Sequence, residues 1–265
     1  MESDSGLGTT SREVPADDGV NHPDAAASYD NIGGVYLKRG DYYKALEYHN
    51  KSLTIRRDTV GENHPDVAVS YNNIGVVYNA KGDNDKALEY YNKSLAIRLN
   101  TLGENHPDVA QSYNNIGNVY RAKGDNGKAL EYYNKSLAIR LNTLGENHPD
   151  VATSYNNIGL VHKLKGDNDK ALDYYNKSLA IRLNALDENH PDVAALYNNI
   201  GGVYRAKGDN GKALDYYNKS LAIRLNTLGE NHPDVAGSYN NIGILYKAKG
   251  DNDKALEYYN KSLAI

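Results

Sequence analysis

The stretch HPDVAVSYNNIGVVYNAKGDNDKALEYYNKSLAIRLNTLGEN, residues 64–105, decides the fold, because the chain keeps repeating it. His-Pro-Asp returns at His22, His64, His106, His148, His190 and His232, each 42 residues after the last. Residues 106–147 differ from 64–105 at only four places: Val69/Gln111, Val76/Asn118, Asn79/Arg121 and Asp85/Gly127. A period between about 20 and 50 residues marks a solenoid, in which each unit stacks only on its neighbours. The expected architecture is an all-α solenoid of antiparallel helix pairs. It has five full repeats (22–63, 64–105, 106–147, 148–189, 190–231) and one partial repeat (232–265). Residues 1–21, rich in Ser, Gly, Asp and Thr, read as a disordered acidic leader.

Within one unit, Pro65 suits the first position of a helix, where its missing N–H has no intrahelical partner to lose. Asp66 sits on the favourable side of the helix dipole. Val67, Tyr71, Ile74, Val77 and Tyr78 follow at helical spacing, and Lys81-Gly82 closes the segment, so the first helix runs from Pro65 to about Lys81. Asp83 is a natural N-cap for a second helix. The stripe of that helix is Ala87, Leu88, Tyr91, Leu95, Leu99 and Leu102, and Gly103 stops it. Gly75, Ala87 and Ser94 are small, which predicts close approach of the two backbones.

Tyr71-x-x-Ile74-Gly75-x-x-Tyr78, followed by Ala87-x-x-x-Tyr91, resembles the tetratricopeptide pattern. It recurs in every unit except that His49 stands at the Tyr91 place and His162 at the Tyr78 place. The usual closing proline is replaced by Leu99, and the second helix continues. Leu-Gly-x-x-His-Pro-Asp-Val-Ala after such an extended helix is similar to the 42-residue repeats of kinesin light chains. The resemblance covers residues 22–265. The chain has 24 Tyr and no Phe or Trp, so buried rings carry hydroxyls that need partners or an edge, and the Tyr71 and Tyr78 types are expected to help set register between repeats.

Charge is balanced outside the leader. Residues 1–21 carry Glu2, Asp4, Glu13, Asp17 and Asp18 against Arg12, which accounts for the whole net charge of −4. A neutral array has no gross pull on nucleic acid or anionic membrane. There is no Cys, hence no disulfide or thiolate metal site, and the leader has no apolar run of the kind a secretory signal or membrane span needs. The expectation is a soluble, cytoplasmic chain without cofactor or metal, and not an enzyme.

Differences between units point to function more than their shared residues do. Three places in the first helix vary most. One holds Ala27, Val69, Gln111, Thr153, Ala195 and Gly237; the next holds Gly34, Val76, Asn118, Leu160, Gly202 and Ile244; the third holds Leu37, Asn79, Arg121, Lys163, Arg205 and Lys247. Steps of seven and three put them on one helical face. Between them run two asparagine columns: Asn31, Asn73, Asn115, Asn157, Asn199 and Asn241, and Asn72, Asn114, Asn156, Asn198 and Asn240 with Asp30 first. The tetratricopeptide resemblance implies that first helices line a concave groove holding extended peptides. In that reading the Asn73 column holds main chain, since a carboxamide both donates and accepts. Gln111, Asn118, Arg121, Lys163, Arg205 and Lys247 select the partner, and the cations favour an acidic or carboxylate-bearing segment. The bland alternative is that the asparagines bond to neighbouring helices.

Other motifs carry less. His-Pro-Asp is the J-domain co-chaperone tripeptide, but six copies at helix starts have a structural role already. The sequon at Asn92-Lys93-Ser94 lies in a packed helix. His49 and His162 read as packing substitutions. Two competing functions remain: a self-assembling solenoid that stacks through its uncapped C-terminal repeat, and the regulatory or sensor region of a longer multidomain protein. One-base-per-repeat RNA binding is disfavoured by neutral charge and the lack of a stacking platform in the variable stripe.

Overall fold

The computed structural model describes residues 23–265; the leader at 1–21 and His22 lie outside the described residues. Those residues form twelve helices: α1 Pro23–Lys38, α2 Tyr42–Val60, α3 Pro65–Lys81, α4 Asn84–Leu102, α5 Pro107–Ala122, α6 Asn126–Leu144, α7 Pro149–Leu164, α8 Asn168–Ala185, α9 Pro191–Ala206, α10 Asn210–Leu228, α11 Pro233–Ala248 and α12 Asn252–Leu263. Each odd helix pairs with the even helix after it, and each even helix packs on the next odd one. This is the expected α-solenoid, with no strand among the described residues.

The helix boundaries are written locally. At α3 the Nδ1 atom of His64 accepts the backbone N–H of Asp66 at 3.2 Å, so the repeated His-Pro-Asp is a cap followed by an N1 proline. Asp83 caps α4 by accepting the N–H of Lys86. Between them Gly82 sits at φ 82°, the left-handed conformation that ends the first helix and that an L side chain resists.

The core runs continuously from unit to unit. One cluster joins Ala87, Tyr91 and Leu95 of the second repeat to Val109, Ala110, Ile116 and Val119 of the third. Two details differ from the helical stripe expected of the second helix. Leu99 and Leu102 are only half-buried, while Ile97 and Arg98 are buried. The reason is that the C-terminal half of each even helix serves two neighbours, so its buried arc is wider than one stripe. The Arg98 guanidinium donates to the Asp108 carbonyl and to Ser112 Oγ, both at 2.9 Å, tying α4 to the next repeat. Arg140 and Arg224 repeat the same tie to Ser154 and Ser238.

Gly75 does more than let backbones approach. A Cβ there would lie 2.7 Å from the Tyr91 ring, so the missing side chain is the seat of that ring. Ser94 donates to the Ala68 carbonyl at 2.7 Å and joins α4 to α3. The Tyr71 and Tyr78 types clasp a third tyrosine inside their own repeat: Tyr78 stacks on Tyr90 at 5.4 Å and Tyr71 tilts against it at 6.0 Å. They also border the core shared with adjoining repeats. Lys93 lies 4.9 Å over the Tyr90 ring, covering the cluster with a cation. His162 takes the Tyr78 role in the fourth repeat, stacked on Tyr174 at 5.5 Å.

One junction breaks the pattern. Between the fourth and fifth repeats Asp187 replaces the stop glycine and Leu196 replaces the tie serine. Helix α8 accordingly ends at Ala185, and Arg182 pairs with the Asp192 side chain instead of a serine.

Candidate functional site: the face of the odd helices

Successive odd helices approach one another directly, α1 to α3 and α7 to α9, which makes them the tighter-spaced row of the two. The asparagine columns lie on that row and bond across it. Asn115 Nδ2 donates to Asn72 Oδ1 at 2.9 Å, Asn157 to Asn114 at 2.9 Å, Asn199 to Asn156 at 3.2 Å and Asn241 to Asn198 at 3.0 Å. In the first repeat the corresponding place holds a carboxylate, Asp30, which Asn73 helps to keep ionised. Each of the four Asn–Asn pairs joins neighbouring odd helices, and each bond uses one N–H and one C=O of the two carboxamides. The rest of each amide in the Asn73 column lies on a half-exposed residue.

In the first repeat Asp30 and His49 replace Asn and Tyr together. Asp30 Oδ1 lies 2.8 Å from His49 Nδ1, and Arg56 is 2.8 Å from Oδ2. Burial pushes the Asp30 carboxyl up, but the His49 hydrogen bond and the Arg56 charge outweigh it and hold it below its ordinary value. A hollow of about 170 Å³ opens there, lined by Asp30, Gly34, Leu37, His49, Asn73 and Val76. It brings three variable-stripe positions and one residue of each asparagine column, Asp30 and Asn73, to a single concavity.

The variable positions thus share a face with the asparagine columns. Gln111, Arg205 and Lys247 are exposed there; Asn118, Arg121 and Lys163 are half-buried. The hydroxyl of each deeply buried Tyr91-type ring reaches toward this face over the seat glycine. Tyr133 donates to Asn118 Oδ1 at 2.7 Å. In the next repeat Leu160 stands where Asn118 would, and the buried Tyr175 hydroxyl has no hydrogen-bond partner. Arg121 acts electrostatically on both rings. Lys163 extends to Gly202 of the following repeat, its Nζ 2.8 Å from where a Cβ would stand. Burial holds the Lys163 ammonium below its usual pKa, and the Arg205 charge lowers it further. The sequence points to buried tyrosine hydroxyls in need of partners but not to Asn118 as one, and Gly202 reads there as one variant among six. The glycine in a column of larger residues was the available signal.

Among the described residues no group of three or more His, Cys, Asp or Glu is placed to hold a metal ion. No helix among them is long and apolar enough to cross a membrane.

The geometry is that of tandem two-helix repeats, and the comparisons agree. A tetratricopeptide-repeat family model matches residues 24–100, 72–142, 108–184 and 185–265. The chain belongs to the tetratricopeptide-repeat family, whose fold is generally a non-catalytic scaffold for protein–protein interaction. A search of the curated proteins returns no significant match. Among solved structures, BtubC (BKLC) from P. vanneervenii is 26% identical with a TM-score of 0.69, covering 86% of this chain and 90% of that one. The kinesin-light-chain-type, nearly identical TPR-like repeats of Podosopora anserina are 25% identical with a TM-score of 0.64, covering 78% of this chain and 98% of that one. The kinesin-light-chain likeness of the 42-residue unit therefore extends to three dimensions.

Proposed function

We propose that this chain is an interaction scaffold that binds an extended, acidic peptide segment along the face of its odd helices, taken as the concave groove. The observation that carries the reading is the placement of Arg121, Lys163 and Arg205, three of the positions that vary between repeats, together on that face with no carboxylate paired to them among the described residues. Positions that vary among otherwise near-identical repeats coincide with a face that is otherwise uniform, which is how selectivity is added to a fixed scaffold. The asparagine columns serve two ends in this reading: one half of each carboxamide holds the next repeat, and the other half meets peptide main chain.

The test is a peptide array probed with the wild-type protein and with R121E/R205E. Acidic segments are expected to bind the former and to lose binding to the latter. Unchanged binding of every captured peptide would remove the reading.

End-to-end stacking is a second reading. Ile32 and Val35 are 38% and 50% exposed although Ile74 and Val77 at matching places are fully buried. Sedimentation that shows a mass independent of concentration would exclude it.

A further inference from the structure

The Lys163 ammonium is the most unusual charge on the odd-helix face. It leaves its own repeat and lies over Gly202, in space that Val76, Asn118, Leu160 or Ile244 would fill in the other repeats that carry a side chain there. The Tyr217 hydroxyl is 3.6 Å from the same point above Gly202. Arg205 is on the same helix as Gly202, one turn on, and is the group whose charge acts on Lys163. Among the described residues Lys163 has neither a hydrogen-bond acceptor nor a carboxylate within ion-pair distance.

A half-buried ammonium beside a like charge, with three donors and no acceptor, is costly unless an anion completes it. The two cations together carry about two positive charges, which a single carboxylate would half neutralise. A phosphate monoester carries about −1.5 to −2 charge and three acceptor oxygens, enough for an ammonium, a guanidinium and a phenol at once.

We propose that Lys163 and Tyr217 over Gly202, with Arg205 one turn further along the same helix, form a seat for the phosphate monoester of a phosphorylated residue in the bound segment. This rests on the peptide-groove reading and narrows it. The seat bridges the fourth and fifth repeats, the junction where Leu196 has removed the Arg–Ser tie. An oxyanion there links two repeats that lack that link.

The test uses the full chain and three probes: the acetylated, amidated tripeptide Gly-phosphoSer-Gly, its Gly-Glu-Gly counterpart, and inorganic phosphate. Binding is followed by amide NMR shifts of Gly202 and Arg205 at fixed ionic strength. The phosphotripeptide is expected to bind about tenfold more tightly than the glutamate tripeptide, and more tightly than inorganic phosphate. Binding should raise the Lys163 pKa toward its usual value. Lys163→Met should weaken it by about tenfold, and Gly202→Val should do the same by displacing the ammonium. Valine is native at this column in Val76, and the clashing atom is the far end of a flexible chain, so Gly202→Val is expected to fold; an unchanged circular-dichroism melt checks this.

Equal affinity for the glutamate tripeptide would overturn the inference, as would phosphotripeptide binding that survives both substitutions. Inorganic phosphate binding as tightly as the phosphotripeptide would overturn the assignment to a peptide. If the phosphotripeptide fails while unphosphorylated acidic peptides still bind in an Arg121- and Arg205-dependent way, the seat falls and the groove reading stands.

Discussion

Asp30 Oδ1 and His49 Nδ1 lie 2.8 Å apart, in the first repeat, where the second repeat has Asn72 and Tyr91. The two departures from the repeat pattern compensate each other: the smaller imidazole fills the tyrosine seat over Gly33, and the carboxylate gives it and Arg56 a partner. Each single reversion, Asp30→Asn or His49→Tyr, is expected to destabilise more than the double reversion. A double-mutant cycle by urea unfolding should give a coupling of about 1–3 kcal/mol. Additive effects would contradict the pairing.

The same carboxylate sets a pH dependence. Its folded pKa lies below the ordinary 3.8, so the unfolded chain binds more protons and the group's stabilisation is fully present above 3.8. It is lost as pH falls through the folded value. Asp30→Asn should remove that part of the acid-limb slope, as read from unfolding free energies between pH 5 and 2 (about the span over which such a carboxylate titrates).

Tyr133 and Tyr175 occupy equivalent buried places with unequal fates for their hydroxyls. Tyr133→Phe loses the bond to Asn118 and should cost about 1 kcal/mol. Tyr175→Phe removes a buried hydroxyl that has no partner and should be neutral or stabilising. Leu160→Asn would supply the missing acceptor, and Tyr175→Phe should become costly in that background. Thermal unfolding of the four variants separates these outcomes.

Gly75 and Gly237 are both in odd helices, yet Ala should act oppositely at the two. At Gly75 the new methyl meets the Tyr91 ring at 2.7 Å, and overpacking of about 1–3 kcal/mol is expected. At Gly237 a Cβ meets nothing within 4 Å, and the better helix former should stabilise by about 0.4–1 kcal/mol. Denaturant midpoints of the two variants check both signs.

Arg98 is buried and donates twice to the following repeat. Arg98→Met should cost about 1.5–3 kcal/mol by removing two charge-assisted bonds across the junction, while Ser112 keeps its own bond to the Asp108 carbonyl. Arg182→Met should cost less, because its partner Asp192 is exposed and the serine is already Leu196.

The fold was legible in the sequence because its cues are local and repeated. His64, Pro65, Gly82 and Asp83 each act through the backbone within a few residues, so their spacing alone places α3 and α4. The variable stripe was legible for the same reason: unlike residues in near-identical units stand out by subtraction. Contacts that cross between units were harder. Arg98 reads as one charge on an amphipathic helix, and only the geometry shows that Ser112, fourteen residues on, is its acceptor. The asparagine columns were visible as columns, but whether they face a neighbour or open space depends on packing distance, which a single unit does not encode. Likewise nothing local says that Lys163 will turn forward over Gly202.

The amide row on the odd helices also has a direction. Every Asn–Asn rung passes a proton donor from the later helix to the acceptor of the earlier one, so both edges of the block 106–147 match those of the repeats beside it. A block such as 106–147 could be duplicated or excised in frame and its seams would close without a single new side chain. The molecule is modular at the level of the gene as well as the fold, with reach along a ligand adjustable in whole steps while the few divergent side chains keep the address.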